Sequence, residues 1–222
     1  MSGFISRSLV PFHAEGWRSF GRQVRKDRLM KLSRIADKKE VKDLVRRAFA
    51  EDAGRGDVTT AALVPADAVA TARVLARGSY VVSGTTVGRA VFLLADSRLR
   101  IRIAIPDGKP VGKEGMIMTI SGPAGAILTA ERTALNFMQR MTGIATLTAS
   151  FVDKVRPFRT AILDTRKTTP GLRALEKYAV LCGGGRNHRM GLDDMVLIKD
   201  NHRALWSRGG AGDLGRAVQA AR

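Results

Sequence analysis

The sequence predicts an α/β protein, and three observations carry that expectation. Short β-like runs occur in the first half, the last of them alternating apolar with basic residues. Two apolar runs in the second half each end abruptly in a polar cluster, and a helix-forming stretch separates them. A strand, a helix and a second strand of the same kind form the pattern of parallel β/α architecture, in which the chemistry lies at the carboxyl ends of the strands. A chain of 222 residues fits one large domain or two small ones, and 45% apolar with 26% charged residues is globular rather than disordered composition.

Residues 1–50 hold 13 Lys/Arg against 5 Asp/Glu, and GRQVRKDRLMKLSR (21–34) has little core-forming pattern. Residues 1–35 therefore read as a basic N-terminal extension, a solvated arm. Val41, Leu44, Val45 and Phe49 then recur at helical spacing, and the helix is expected to stop before the Gly-rich turn EDAGRGDVTT (51–60). Strands are expected at ATARVLA (70–76), YVVSG (80–84) and RLRIRIAI (98–105). In the last of these Arg98, Arg100 and Arg102 alternate with Leu99, Ile101 and Ile103, which implies a sheet with one wet face. The segment 107–125 sets glycines between short apolar runs, as lipoyl and biotinyl carrier domains do. It lacks the lysine those carriers display at a hairpin tip.

The second half opens with a long helix over 131–155, where Leu135, Met138, Met141 and Ala145 form an apolar stripe that reads as core. The strand AIL (161–163) runs into Asp164-Thr165-Arg166-Lys167. Thr169 and Pro170 read as N-cap and first helical residue, with Leu172, Leu175, Ala179 and Cys182 on the buried face. Gly183-Gly184-Gly185 ends that helix, and a loop bearing His188 and Arg189 leads to a second strand, MVLI (195–198), which stops at Lys199-Asp200-Asn201-His202.

The net charge of +18 calls for anionic partners. Aromatic residues make up only 5%, without interleaving among the cations, so a dedicated nucleic-acid module is disfavoured. No apolar run reaches the ~18 residues of a membrane span, and the N-terminus lacks a secretory pattern. A single cysteine excludes an internal disulfide and a thiolate metal site, and fits a reducing cytoplasm. There is no nucleophile elbow and no Walker loop, so acyl-enzyme chemistry and ATP hydrolysis are unsupported. His188 and His202 lack metal-ligand spacing and are read as hydrogen-bonding groups. The strand-end cations, Arg166, Lys167, His188, Arg189 and Lys199, converge instead on a pocket for several anionic groups.

The strings EDAGRGDVTT, ERTALNFMQRMTGIATLT, DTRKTTPGLRALEKYAV, CGGGRNHRMGL and DMVLIKDNH resemble the quinolinate phosphoribosyltransferases, the carboxylating nicotinate-nucleotide pyrophosphorylases of NAD biosynthesis. A molybdenum-associated branch of the same fold has similar TRK and HR elements and is the minor alternative within the resemblance; an inert fragment or a basic nucleic-acid-binding module are the other readings. The resemblance implies an N-terminal α/β sandwich domain over 36–125 followed by an incomplete parallel β/α barrel over 126–222. It implies quinolinate and phosphoribosyl pyrophosphate as substrates, and a cytoplasmic homodimer whose site is shared between subunits. It also implies magnesium, for which no ligand can be assigned. Carried over by motif, Arg132, Thr165, Arg166, Lys167, His188, Arg189 and Lys199 would bind substrate, with Lys167 and Lys199 as the catalytic cations.

An eight-stranded β/α barrel takes ~200 residues or more, and about 100 follow the N-terminal part. The chain therefore reads as C-terminally truncated, expected to be nearly inactive alone and prone to aggregate.

Overall fold

The computed structural model describes residues 35–208 and 214–221, so the basic extension lies, but for Ile35, outside the described residues. A 3-10 turn at Ile35–Asp37 leads into α1, Lys39–Ala53, which buries Val41 and Val45 as their spacing predicts. The helix stops at Gly54, whose φ of 49° lies in the left-handed region that favours glycine. Asp57 then caps a short helix, α2 (Val58–Leu63), that the sequence reading left as turn. Its carboxylate accepts the Thr60 N–H at 2.9 Å and the Thr60 hydroxyl at 2.6 Å. Those two bonds hold its pKa below the usual carboxylate value.

In chain order there follow β1 (Val69–Leu75), β2 (Tyr80–Val81), α3 (Thr85–Ala95), β3 (Arg100–Ile103), β4 (Pro110–Val111) and β5 (Met116–Pro123). Strand β5 is the centre of an antiparallel sheet ordered β1-β5-β3, while β2 and β4 pair separately. Register sorts the residues into rows. Ala72–Ile120–Ile101 and Val74–Met118–Ile103 face the core, where Ile120 and Met118 are fully buried. Thr71–Ser121–Arg100 and Arg73–Thr119–Arg102 face water, the wet face that the alternation implies. Each fully buried aliphatic side chain of this kind contributes ~1.5–3 kcal/mol.

Helix α4 (Ala124–Val155) begins directly at the end of β5 and runs for 32 residues, about 48 Å at 1.5 Å per residue. The division expected at 125/126 falls in its first turn. Met138, Met141 and Ala145 are buried as the stripe predicts. Met138 and Met141 lie against the two glycines at the start of α3. A Cβ on Gly84 would come within 2.8 Å of the Met141 sulfur, and one on Gly88 within 2.7 Å of the Met138 sulfur.

Helix α5 (Arg173–Cys182) starts three residues later than expected, because Gly171 adopts φ 79° and interrupts the turn begun at Pro170. Thr169 caps nothing with its side chain; its N–H donates to Glu176 Oε2 at 3.1 Å. Leu175, Ala179 and Cys182 are buried as expected, and Leu172 half-buried. Arg140 of α4 pairs with Glu176 early in α5, and Ala145 and Thr148 meet Gly183 just past its end, so the two helices run side by side in one direction. Gly183 and Gly185 serve this packing: a Cβ on Gly183 would lie 2.3 Å from the Ala145 carbonyl oxygen, and one on Gly185 2.9 Å from Thr148 Cγ2.

The α/β class is as predicted, but the strands of the second half are not where the apolar runs put them. Residues 195–198 form no strand; Met195 and Val196 are 51% and 61% exposed. Among the described residues no neighbouring strand lies alongside them, and a strand needs a ladder partner. Within 161–163 only Leu163 is bridged, in parallel, and its partner is Arg186, in the polar stretch read as a loop. Helices α6 (Asp200–Arg208) and α7 (Leu214–Ala220) complete the described chain. No helix among the described residues is long and apolar enough to cross a membrane.

The loop between β3 and β4 ties the halves together. Half-buried Asp107 accepts the Thr85 N–H (2.8 Å), the Thr85 hydroxyl (2.7 Å) and the Tyr178 hydroxyl (2.6 Å). Burial, and then the adjacent carboxylate, push the Tyr178 phenol far above its ordinary pKa, so it stays a neutral donor.

Candidate active site

Residues 162–164 and 186–188 run parallel and adjacent. The Arg186 N–H donates to the Ile162 carbonyl at 2.9 Å and the Asp164 N–H to the Arg186 carbonyl at 3.1 Å. Beyond this bridge side chains take over. Asp164 Oδ1 accepts the His188 N–H at 2.8 Å and Lys177 Nζ at 2.5 Å. With its amide turned to satisfy both donors, Asn187 reaches Asp164 Oδ2 at 2.8 Å and the Lys177 carbonyl at 2.9 Å. Lys177 also donates to the His188 carbonyl at 3.0 Å. The pair is deeply buried, with side-chain exposures of 1% for Lys177 and 7% for Asp164.

Neither Lys177 nor Asp164 figures among the residues the sequence singled out. The available signal was a lysine inside the apolar face of α5, since the register Leu175, Tyr178, Ala179, Cys182 encloses it. Lysine is almost never fully buried unless paired.

Arg166 and Lys167 leave the first segment just past Asp164. Arg166 Nε is buried with no hydrogen-bond partner among the described residues, while Lys167 and Thr165 are exposed, the Thr165 hydroxyl accepting the Lys167 N–H at 3.0 Å. Arg189 follows His188 and is buried, its Nη1 donating to the Met195 carbonyl at 2.9 Å. The Arg189 N–H donates to His188 Nδ1 at 2.8 Å, so the imidazole carries its proton on Nε2 and offers a donor there.

Lys199 is exposed, its N–H held by His202 Nδ1 at 3.0 Å. Both histidines thus accept backbone N–H groups. Arg132 is exposed on α4, and no hydrogen bond or ion pair joins it or Lys199 to the Asp164 cluster among the described residues. The two parallel segments thus carry Thr165, Arg166, Lys167, His188 and Arg189 on adjoining stretches of chain, while no hydrogen bond or ion pair among the described residues ties Arg132 or Lys199 to them.

Electrostatics give the cluster its character. Asp164 is matched by Lys177, whereas Arg166, Lys167 and Arg189 make no ion pair among the described residues. Guanidinium forks held without counter-ions suit carboxylate and phosphate oxygens. No group of three or more His, Cys, Asp or Glu among the described residues could hold a metal ion. Clefts of about 290 Å³ between α1 and α4 and about 680 Å³ between the sheet and α4 are lined by none of the substrate-binding residues expected from the sequence.

Two family models match, the quinolinate phosphoribosyl transferase N-terminal domain over residues 57–142 and the C-terminal domain over 144–222. They meet inside α4. The chain is 48% identical over 164 residues to a quinolinate phosphoribosyltransferase [decarboxylating] 1b of Nicotiana tabacum, covering 73% of this chain and 46% of that one. It is 45% identical over 183 residues to a nicotinate-nucleotide pyrophosphorylase [carboxylating] of Mycobacterium leprae, covering 81% and 64%. The solved nicotinate-nucleotide pyrophosphorylase of Francisella tularensis superposes with a TM-score of 0.76 at 40% identity, covering 82% of this chain and 62% of that one. The chain spans about half the length of the tobacco relatives it matches.

Proposed function

Because the chain belongs to the quinolinate phosphoribosyltransferase family, we propose that the protein joins quinolinate to phosphoribosyl pyrophosphate, giving nicotinate mononucleotide, pyrophosphate and carbon dioxide for NAD biosynthesis. One observation carries the reading: among the described residues, Arg166, Lys167 and Arg189 stand without counter-ions at the ends of two adjoining parallel segments.

Quinolinate brings two carboxylates, and the donor brings a phosphate and a pyrophosphate. Arg166 and Arg189 take carboxylate oxygens in forks, His188 offers Nε2–H, and Thr165 lines the site. Lys167 and Lys199 serve as the catalytic cations, balancing charge as the donor's pyrophosphate departs. The pyridine nitrogen attacks the ribose anomeric carbon, the bond to pyrophosphate oxygen breaks, and the ring nitrogen becomes cationic. The bond to the 2-carboxylate then breaks, its electron pair remains on the ring carbon beside that cation and takes a proton, and carbon dioxide leaves. Positioning and preorganised charge supply the catalysis, and no covalent nucleophile is needed. No three carboxylates or histidines gather into a metal site among the described residues, so magnesium enters the proposal only as counter-ion to the donor's pyrophosphate, with no protein ligand assigned.

The proposal extends to organisation. It comprises a basic extension over 1–35, a sandwich domain over 36–125, the first part of a barrel over 126–222, a cytoplasmic location and a homodimer. Exposed Arg132 then serves the partner's site. An Arg132→Ala chain mixed with an Arg189→Ala chain is expected to regain quinolinate binding that neither homodimer has; a verified heterodimer without recovery counts against sharing.

The direct test compares quinolinate with nicotinate, which has one carboxylate fewer, in titrations of the purified protein. Quinolinate is expected to bind more tightly, and Arg189→Lys to weaken it at least tenfold, about 1.4 kcal/mol, because the charge stays but the fork is lost. Equal affinity in wild type and Arg189→Lys overturns the assignment. With phosphoribosyl pyrophosphate and magnesium, one carbon dioxide is expected per nicotinate mononucleotide formed.

A further inference from the structure

Arg173 and Lys177 stand four residues apart on α5 and therefore share one face of the helix. Each bridges the two parallel segments, at successive levels. Lys177 Nζ joins the Asp164 carboxylate (2.5 Å) to the His188 carbonyl (3.0 Å). Arg173 joins the Thr168 hydroxyl, through Nε at 3.2 Å, to the Met190 carbonyl, through Nη1 at 3.1 Å. The attachment points bracket the anion-binding cations. Arg166 and Lys167 lie between 164 and 168 on one segment, and Arg189 lies between 188 and 190 on the other.

We propose that Arg173 and Lys177 are positioning residues: a two-rung brace from α5 that sets the spacing and aim of Arg166, Lys167 and Arg189 without touching the bound anion. The assignment rests on the reading of those three residues as the anion site. A buried ion pair is a poor device for stability alone, since its desolvation cost commonly cancels its attraction and an apolar pair of similar volume serves as well. What it supplies here is direction. The brace's donors hold the second segment by the main-chain carbonyls of His188 and Met190 and the first by the side chains of Asp164 and Thr168, the residues flanking the cations. Backbone pairing cannot do this, because it stops at the bridge between Leu163 and Arg186.

The outer rung is the one to cut, since Arg173 is only half-buried and carries no ion pair among the described residues. The purified protein and its Arg173→Gln variant are compared by thermal midpoint, by quinolinate titration and by ¹⁵N order parameters of the Arg166 and Arg189 Nε–H groups. The brace predicts a nearly unchanged midpoint, at least threefold weaker quinolinate binding, and Nε–H order falling from the rigid range near ~0.85 towards ~0.6. Rigid side chains and unaltered affinity in a folded Arg173→Gln variant overturn it. If wild type binds no quinolinate, the functional reading fails while the order parameters still decide the brace. If Arg173→Gln does not fold, amide exchange of His188 in the unaltered protein decides instead. Protection matching the α5 amides supports the brace, and exchange as fast as that of exposed loop amides overturns it.

Discussion

In the N-terminal sheet, β5 is flanked on both sides, its rows are complete, and its three arginines point into water. In the second half, one parallel bridge carries two backbone hydrogen bonds, and a buried lysine and carboxylate continue the connection where the ladder stops. The comparison teaches where charge has structural weight. With the backbone fully paired, cations are dispensable decoration on the solvent face. With pairing incomplete, a single ammonium group organises two segments and the residues that follow them.

The sharpest way to break that contrast is to remove one cation from each region. Lys177→Met leaves the Asp164 carboxylate buried without its partner and is expected to cost ~3–5 kcal/mol, whereas Arg102→Ala on the wet face is expected to stay within ~0.5 kcal/mol. Urea midpoints followed by circular dichroism read both, and comparable losses from the two would erase the distinction. Packing at the end of α5 comes next. Gly183 has an ordinary helical φ of −73°, so Gly183→Ala acts through space alone, driving a methyl against the Ala145 carbonyl. A loss of ~1–3 kcal/mol is expected, and a stability equal to wild type would mean that α4 and α5 separate without cost.

The smallest expected effect concerns pH. Burial raises the Glu176 pKa, but bonds from Arg140 and Thr169 outweigh it and hold the group below its ordinary value. A depressed carboxyl stabilises the fold above its unfolded pKa, about 4.3, and that contribution disappears as pH falls through the lower folded value. Glu176→Gln is therefore expected to be the less stable protein at pH 6, by under ~1 kcal/mol since Arg140 is half-exposed. The difference should close well below pH 4. A gap that persists at acid pH would assign the effect to shape rather than charge.

How much of this was legible depended on whether local pattern and tertiary context agreed. Helix α1 and the alternation of Arg100, Ile101, Arg102 and Ile103 were readable because each has one buried and one wet face, so the period shows in the residues themselves. Helix α3 was missed because Thr85, Thr86 and Val87 are β-branched and Gly88 sits mid-helix. Gly88 serves the close approach of α4, and Thr85 the bonds to Asp107, rather than helix propensity. The parallel partner of 162–164 was misplaced for a related reason. GGGRNHR must be small where it meets Thr148 and polar where it meets Asp164, and neither requirement looks like a strand. Arg166 and Lys167 could be picked out as cations following an apolar run, and His188 and Arg189 as a pair in the loop between the two runs. Their support could not, because Lys177 is recognisable only once the carboxylate 13 residues away is known to lie against it.

The lone thiol gives the C-terminal half a clock of its own. Cys182 is the chain's single cysteine and lies buried at the end of α5, beneath the residues that brace the cations. A disulfide reagent added to the native protein reaches that sulfur only when α5 lifts, so the labelling rate at low reagent counts how often the helix opens. If quinolinate settles onto those cations as proposed, that count is expected to slow as the site fills, and the thiol then reports the ligand without an added probe.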